Sequence, residues 1–533
     1  LENRSVDAGA PSTLVDVFRL IVPEIILFAG ACVLFIGATF RGGRDRWASV
    51  AIAAVVLAGL ALWYLNASTV PISSKAASVV LDSFALFVKV FALAGGLVLI
   101  LMSWNEVPDR HAAEYHACLL LIIAGVCLTG AANELVTLFL ALELISIPTY
   151  VLLYLPRYDN AAQEAAMKYF LLSIFSSALL LFGFSYLYGI AGTTNLPAFQ
   201  EALQSAGRES MAELFDPERR DALPTIALVA LVLVVGGLGF RITAVPFHFY
   251  APDVYQGTPA IAAALLAFVP KAAGFFAFFR LLGFVGDFHG TSAWILDGRV
   301  SMIFYSLAAV SMTLGNILAL LQDNIKRLLA YSSVAHAGYM LIGMTVAPSL
   351  QEGDTGGLDA VLFYLVAYGA MTVGAFAVVA YLSTRERPVE TVDDLAGLGV
   401  SRPGVALSMA IFLLSLIGFP LTAGFAGKFL LFWGALKVPA GNHPWLFTGL
   451  ALLGAINAGI ASWYYLRILA VMYFRTALRP IERRQSLAGL ATLWICALVT
   501  IAFGITPNPL SQAARIATAP TATGSVEQST AQR

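Results

Sequence analysis

The chain has 533 residues, is 59% hydrophobic, has a mean hydropathy of +0.81 and carries only 12% charged side chains, about half the charged share of a soluble domain. Its formal net charge of −1 gives no electrostatic footprint for nucleic acid. Composition excludes an ordinary soluble enzyme and predicts an all-α polytopic membrane protein, because lipid leaves helices as the way to satisfy the backbone of long apolar segments.

A spanning helix takes about 20 mostly apolar residues. Fourteen such segments are expected, starting near residues 19, 48, 78, 114, 134, 164, 223, 260, 300, 328, 358, 405, 445 and 487. The first is expected to span rather than to be a cleaved leader. Short connections favour one bundle, with a longer polar connection over 192–222 carrying Arg208, Asp216, Arg219 and Arg220. Cys32, Cys118, Cys127 and Cys496 fall in apolar segments without metal-ligand spacing and are expected to be small core side chains. With no Gly-rich nucleotide fingerprint either, any redox cofactor is expected on another chain.

Basic residues orient the bundle. With the N-terminus outside, the inner loops hold Arg41, Arg44, Arg46, Arg110, Arg157, Lys326, Arg327, Arg385, Arg387, Arg402, Arg475, Arg479, Arg483 and Arg484. The short outer loops hold Lys75, Arg280, Arg299 and Lys437. Both termini are therefore expected outside, with the cytoplasm of a bacterium on the inner side.

Ionisable residues inside the apolar segments bear on function, since each costs at least about 2.5–3.5 kcal/mol unless paired or hydrated. Glu143, Lys168, His248, Lys271, His336 and Lys428 are all of this kind, and together they point to a buried path that moves charge. Glu143 needs protonation or a cation. Lys271 and Lys428 sit too deep to snorkel. Lys168 follows Glu164 by four residues, the spacing of an ordinary helical ion pair. His248 and His336 fit equally a core histidine and a neutral proton relay. Asp82 and Lys89, seven apart, are expected to neutralise each other on one helix face. Gly239-Phe240-Arg241-Ile242-Thr243-Ala244 echoes Gly418-Phe419-Pro420-Leu421-Thr422-Ala423. With Pro246 and Pro420 nearby, the echo predicts two interrupted helices in related halves of the chain.

These motifs carry a resemblance. Met167-Lys168-Tyr169-Phe170 with Ser176-Ser177, and Ala244-Val245-Pro246-Phe247-His248 followed by Ala251 through Pro259, resemble the subunit N branch of proton-pumping NADH:quinone oxidoreductase, respiratory complex I. Asp323 through Ser333 is similar to the wider antiporter-like family, which includes cation/proton antiporter subunits. The resemblance implies two inverted five-helix repeats, about 114–283 and 300–474, with flanking helices over 19–102 and 487–506 and broken helices seven and twelve. It implies that Glu143, Lys168, Lys271, His336 and Lys428 serve the proton path. It implies that NADH, flavin, iron–sulfur clusters and quinone are handled by partner subunits, beside antiporter-like sisters in the membrane arm. Where the family usually has lysine on the seventh helix, this chain has Arg241. An arginine does not deprotonate in a protein, so Arg241 is expected to act on Glu143 electrostatically and not to carry a proton. The alternative reading is a subunit of a multisubunit cation/proton antiporter driven by an ion gradient.

Overall fold

The structure, a computed structural model, describes residues 14–40, 42–67, 77–155, 159–199, 225–282, 298–350, 354–384, 388–439, 444–477 and 486–519. Its main elements are α1 (Leu14–Leu20), α2 (Val22–Gly37), α3 (Arg44–Ala67), α4 (Ser83–Ser103), α5 (Ala112–Ala131), α6 (Leu135–Tyr154), α7 (Asn160–Ala191), α8 (Thr225–Arg241) and α9 (Ala251–Gly257). They continue with α10 (Ala260–Leu281), α11 (Gly298–Leu320), α12 (Ile325–Val346), α13 (Leu358–Leu382), α14 (Pro403–Ile417), α15 (Ala423–Leu436), α16 (Pro444–Phe474), α17 (Leu487–Ile505) and α18 (Asn508–Thr518). The described residues contain only isolated bridges, such as Val79–Ala132 and Asn324–Thr391, and no strand.

Each expected segment lies on an observed helix. Among the described residues ten helices are long and apolar enough to cross a membrane, and α2, α8, α14 and α15 are shorter apolar helices. The remaining long helix, α12, carries Lys326, Arg327, Ser332, Ser333 and His336, and nearly all of its residues are buried. Its polar groups are placed against protein instead of lipid. With α10, α13 and α5 it makes the centre of the bundle. The helices around this centre turn large apolar side chains outward, among them Trp63, Leu140, Phe175, Trp463 and Leu498, as a lipid-facing surface requires.

Two helices break where the Pro/Gly clusters lie. α14 ends at Gly418, which takes φ +95°. There Phe419 N–H donates to Leu414 O at 2.9 Å and Gly418 N–H to Ser415 O at 3.0 Å. This is the Schellman pattern, which ends a helix and leaves its last two carbonyls free. α8 ends in the same pattern with Thr243 at φ +59°: Ala244 N–H donates to Gly239 O at 2.9 Å and Thr243 N–H to Phe240 O at 3.1 Å. The shared geometry therefore pairs Thr243 with Gly418, whereas the shared six-residue string pairs Gly239 with Gly418. The echo in sequence is out of register with the echo in structure, because hydrogen-bond closure and not the string decides where each helix stops.

Two expectations about charge are corrected. Asp82 and Lys89 do not pair. Asp82 N-caps α4 by accepting from Ala85 N–H and takes both terminal nitrogens of Arg280, each at 2.7 Å. Lys89 is fully buried and reaches Glu24 at 2.9 Å and Leu20 O at 2.9 Å. Arg280 is likewise no loop residue: it is buried in the last turn of α10, where it also donates to Gly130 O. The 192–222 connection beyond residue 199, with Arg208, Asp216, Arg219 and Arg220, lies outside the described residues, as do Arg41, Lys75, Arg157, Arg385, Arg387, Arg479, Arg483 and Arg484. The side chain of Arg299 does too.

Candidate proton-path site

Glu143 and Arg241 meet at the first break. Arg241, the last residue of α8, is 4% exposed and sends Nη2 to Glu143 Oε1 at 2.8 Å. Its Nη1 donates to Ser146 Oγ at 2.6 Å and to Leu142 O at 3.1 Å. Ser177 Oγ donates to the same Glu143 oxygen at 2.5 Å. Glu143 and Ser146 lie three apart on α6, so one helix face presents both to the guanidinium. Arg241 Nε is buried without a partner. α10 packs against this break at Gly274, where an added Cβ would meet Ile242 at 2.6 Å and Arg241 Cβ at 3.3 Å.

One turn before Gly274, Lys271 is fully buried. It donates to Ser333 O and Ser333 Oγ on α12, and its Nζ lies 4.7 Å over the Tyr368 ring. Tyr368 packs against His336 with ring centres 5.3 Å apart and planes tilted by 41°. His336, 1% exposed, bonds Tyr364 OH through Nδ1 at 2.6 Å and Tyr465 OH through Nε2 at 3.3 Å. Tyr465 OH in turn bonds Ser332. Tyr339, three residues on in α12, packs edge-on to His336 at 5.6 Å and carries Lys428 Nζ 4.7 Å over its ring. His336 thus contacts two tyrosine rings, each covered by a buried lysine.

Lys428, 4% exposed on α15, donates to Leu416 O at 2.8 Å and Ile417 O at 3.0 Å. Those are the carbonyls that the Schellman pattern at Gly418 leaves unpaired. The ammonium sits at the negative end of the α14 dipole, without a carboxylate partner among the described residues. Loss of its proton removes the charge and leaves both carbonyls bonded by a neutral amine, a weaker hold.

Two predicted residues stand apart from this network. Lys168 is not buried: its side chain is 41% exposed and bridges Glu164 at 2.7 Å and Asp253 at 3.2 Å. Asp253 also takes Arg327 at 2.6 Å, and Lys326 caps α9 by donating to Gln256 O and Thr258 O, each at 2.7 Å. His248 lies half-buried in the stretch between α8 and α9, and its Nδ1 has no partner. Sequence reading missed the hydroxyls: Ser146, Ser177, Ser333, Tyr364, Tyr368 and Tyr465. A signal existed in Tyr364 and Tyr368, four apart and so on one face of α13.

Cys118, Cys127 and Cys496 are buried thiols and Cys32 is exposed. Among the described residues no group of three or more His, Cys, Asp or Glu is placed to hold a metal ion.

Known proteins share this architecture. Residues 132–454 match the family described as NADH:quinone oxidoreductase/Mrp antiporter, TM. The chain is 38% identical to NADH-quinone oxidoreductase subunit N of Trichlorobacter lovleyi, over 93% of this chain and 96% of that protein. It is 37% identical to NADH-quinone oxidoreductase subunit N 2 of Rhizobium meliloti, over 91% and 94%. A chain of respiratory complex I from Thermus thermophilus superposes with a TM-score of 0.73 at 27% identity, covering 92% of this chain and 98% of that one. A chain of the Mrp complex from Dietzia sp. superposes at 0.78 with 19% identity, a likeness of fold alone. The chain belongs to the NADH:quinone oxidoreductase/Mrp antiporter membrane family, in its subunit N branch.

Proposed function

We propose that this chain is a proton-translocating membrane-arm subunit of an NADH:quinone oxidoreductase, coupling electron transfer on partner subunits to charge movement through its own buried axis. The observation that carries the reading is the Lys271–His336–Lys428 line, three buried basic groups joined through tyrosine rings and hydroxyls. NADH, flavin, iron–sulfur clusters and quinone belong to the partner subunits. The chain contributes helices that pack beside antiporter-like sisters and lipid. The reading includes fourteen crossings, repeats at about 114–283 and 300–474, and both termini outside.

In this mechanism the remote redox event shifts the pairing of Glu143 with Arg241. Arg241 stays charged throughout, so the change at this site is in the position or protonation of Glu143. The altered field acts on Lys271, one turn from the α10–α8 contact. His336 passes charge between the two lysines, and Lys428 responds at the second break. Lys428 supplies the two-state element such coupling requires: protonated, it holds the free carbonyls of α14; neutral, it holds them weakly. Lys168 and His248 are assigned to the inner end of the path, Lys168 through Asp253 on the second half of the broken helix.

The test is NADH-driven proton uptake in membrane vesicles carrying Glu143→Ala, Lys271→Ala or Lys428→Ala. Loss of uptake with an assembled, NADH-oxidising complex is the expected result; full uptake in all three variants would sink the proposal.

A further inference from the structure

Two asparagines are buried where α11 packs on α16, although both helices turn apolar side chains such as Ile317 and Ile456 outward. Asn316 of α11 is fully buried, and Asn457 of α16 nearly so. Asn457 Nδ2 donates to Leu453 O at 3.0 Å, one turn back on its own helix, and to Thr313 Oγ1 of α11 at 3.4 Å. A carbonyl oxygen accepts and never donates, so Leu453 O fixes the Asn457 nitrogen on that side and leaves Oδ1 facing Asn316. Asn316 meets it with Nδ2 at 3.3 Å. A flipped Asn316 amide would set two carbonyl oxygens against each other. A backbone carbonyl on α16 therefore dictates which way the Asn316 amide points.

The oriented amide holds two tyrosines of the buried axis. Asn316 Nδ2 also donates to Tyr339 OH at 3.2 Å, and Asn316 Oδ1 accepts from Tyr464 OH at 3.0 Å. Tyr339 is the ring that carries the Lys428 ammonium and touches His336. Tyr464 packs on Tyr465 with ring centres 4.3 Å apart, and Tyr465 OH is the group bonded to His336 Nε2. One side chain outside the path thus reaches both the ring shared by His336 and Lys428 and the ring behind the other His336 contact. Asparagines in membrane helices commonly serve to join one helix to another, and Asn457 with Thr313 does that for α11 and α16. Asn316 does more: its oxygen and one of its N–H groups are committed to the tyrosines.

We propose that Asn316 is a positioning residue for charge exchange between His336 and Lys428, acting through Tyr339 and Tyr464. The inference rests on the proton-path reading above. A cation over an aromatic face and a hydrogen bond to an imidazole both weaken with small displacements of the ring or hydroxyl. Asn316 anchors Tyr339 by its phenol oxygen, so the ring keeps its place against Lys428 while the lysine changes charge. By anchoring Tyr464 it keeps Tyr465 packed toward His336. Asn316 carries no proton itself; its amide stays neutral and only holds the groups that do.

The experiment measures protons moved per NADH oxidised by the intact complex in vesicles, a ratio that a change in the amount of assembled complex leaves alone. The variants are Asn316→Leu, Tyr339→Phe, the two combined, and Thr313→Val, with Lys428→Ala as reference. Asn316→Leu and Tyr339→Phe are each expected to lower the ratio to between the unmodified and the Lys428→Ala levels. Because both remove the same hydrogen bond, the combined variant is expected to fall short of the sum of their losses. Thr313→Val, which removes a bond between α11 and α16 without touching Asn316, is expected to keep the ratio. Full additivity in the combined variant, or an equal loss in Thr313→Val, would assign Asn316 to helix packing and overturn the proposal. A lowered ratio for Lys428→Ala with an unchanged one for Asn316→Leu overturns the Asn316 assignment and leaves the path reading standing. An unchanged ratio for Lys428→Ala overturns both. If Asn316→Leu fails to assemble, Tyr339→Phe and Tyr464→Phe decide, since each removes one bond of the amide and keeps the ring: unchanged ratios in both overturn the proposal.

Discussion

Arg241 is the residue at which this chain departs from the pattern its motifs resemble, and the structure gives the departure a geometry. The guanidinium serves Glu143 with one nitrogen and Ser146 and Leu142 O with another. A lysine has one compact nitrogen and lacks the planar fork that lets arginine hold Glu143 and the Ser146–Leu142 O pair from two separate nitrogens. A lysine is also a group that can give up its proton, which arginine is not. Arg241→Lys is therefore expected to preserve NADH-driven proton uptake but to make it pH-dependent, falling as lysine deprotonates at higher pH. Uptake with an unchanged pH profile would show that the substitution is neutral. Arg241→Leu leaves Glu143 without its cation, a loss of about 3–5 kcal/mol for a broken buried pair, read as a lower yield of assembled complex. Glu143, Lys271, His336 and Lys428 were legible in the sequence because an ionisable group in an apolar run stands out at its own position. Their partners were not. Ser177 is 34 residues from Glu143, and Glu24 is 65 from Lys89. The seven-residue spacing of Asp82 and Lys89 is no guide when each finds a better ion on another helix.

At the scale of the element, the two broken helices are the features that tie local sequence to charge. Proline explains why neither helix runs on, but the closing motif decides which carbonyls stay free, and at α14 those carbonyls hold Lys428. Gly418 permits this because φ +95° costs a residue with a Cβ about 1–2 kcal/mol. The added Cβ would also meet Lys428 Cδ at 3.3 Å. Gly418→Ala is expected to leave an assembled complex with lowered proton uptake, the strain and the crowding both acting where Lys428 is held. Uptake at the unmodified level would mean that the break does not control this lysine. The breaks themselves were legible as Gly/Pro clusters within apolar segments. Their register was not, because a six-residue echo carries no information about which N–H closes onto which carbonyl.

Across the whole molecule, side-chain and backbone contacts sort the connections into two ends. At one end Arg44 N–H meets Asp109, Asn105 meets Ser486, Ile325 N–H meets Glu390 O and Arg475 meets Asp393. At the other, Asp82 meets Arg280, Lys437 meets Asp354 and Arg515 meets Asp359. The first end carries Arg44, Arg46, Arg110, Lys326, Arg327, Arg402 and Arg475, and so gathers the described basic residues that the sequence assigns to the inner loops. The second end carries the start of α2 and the helix α18. An excess of lysine and arginine near the ends of spanning helices marks the cytoplasmic side, and this supports the proposed orientation, with the first end inside and both termini outside. Val400, 86% exposed in the turn before α14, reports on the first end. A cysteine placed there, in membranes of known sidedness and in a chain whose native thiols are replaced, is expected to react with a membrane-impermeant maleimide only when the cytoplasmic face is open to reagent. Labelling from the opposite face alone would reverse the orientation. The proton path would then run from Lys428 toward the cytoplasm, opposite to the direction that pumping requires.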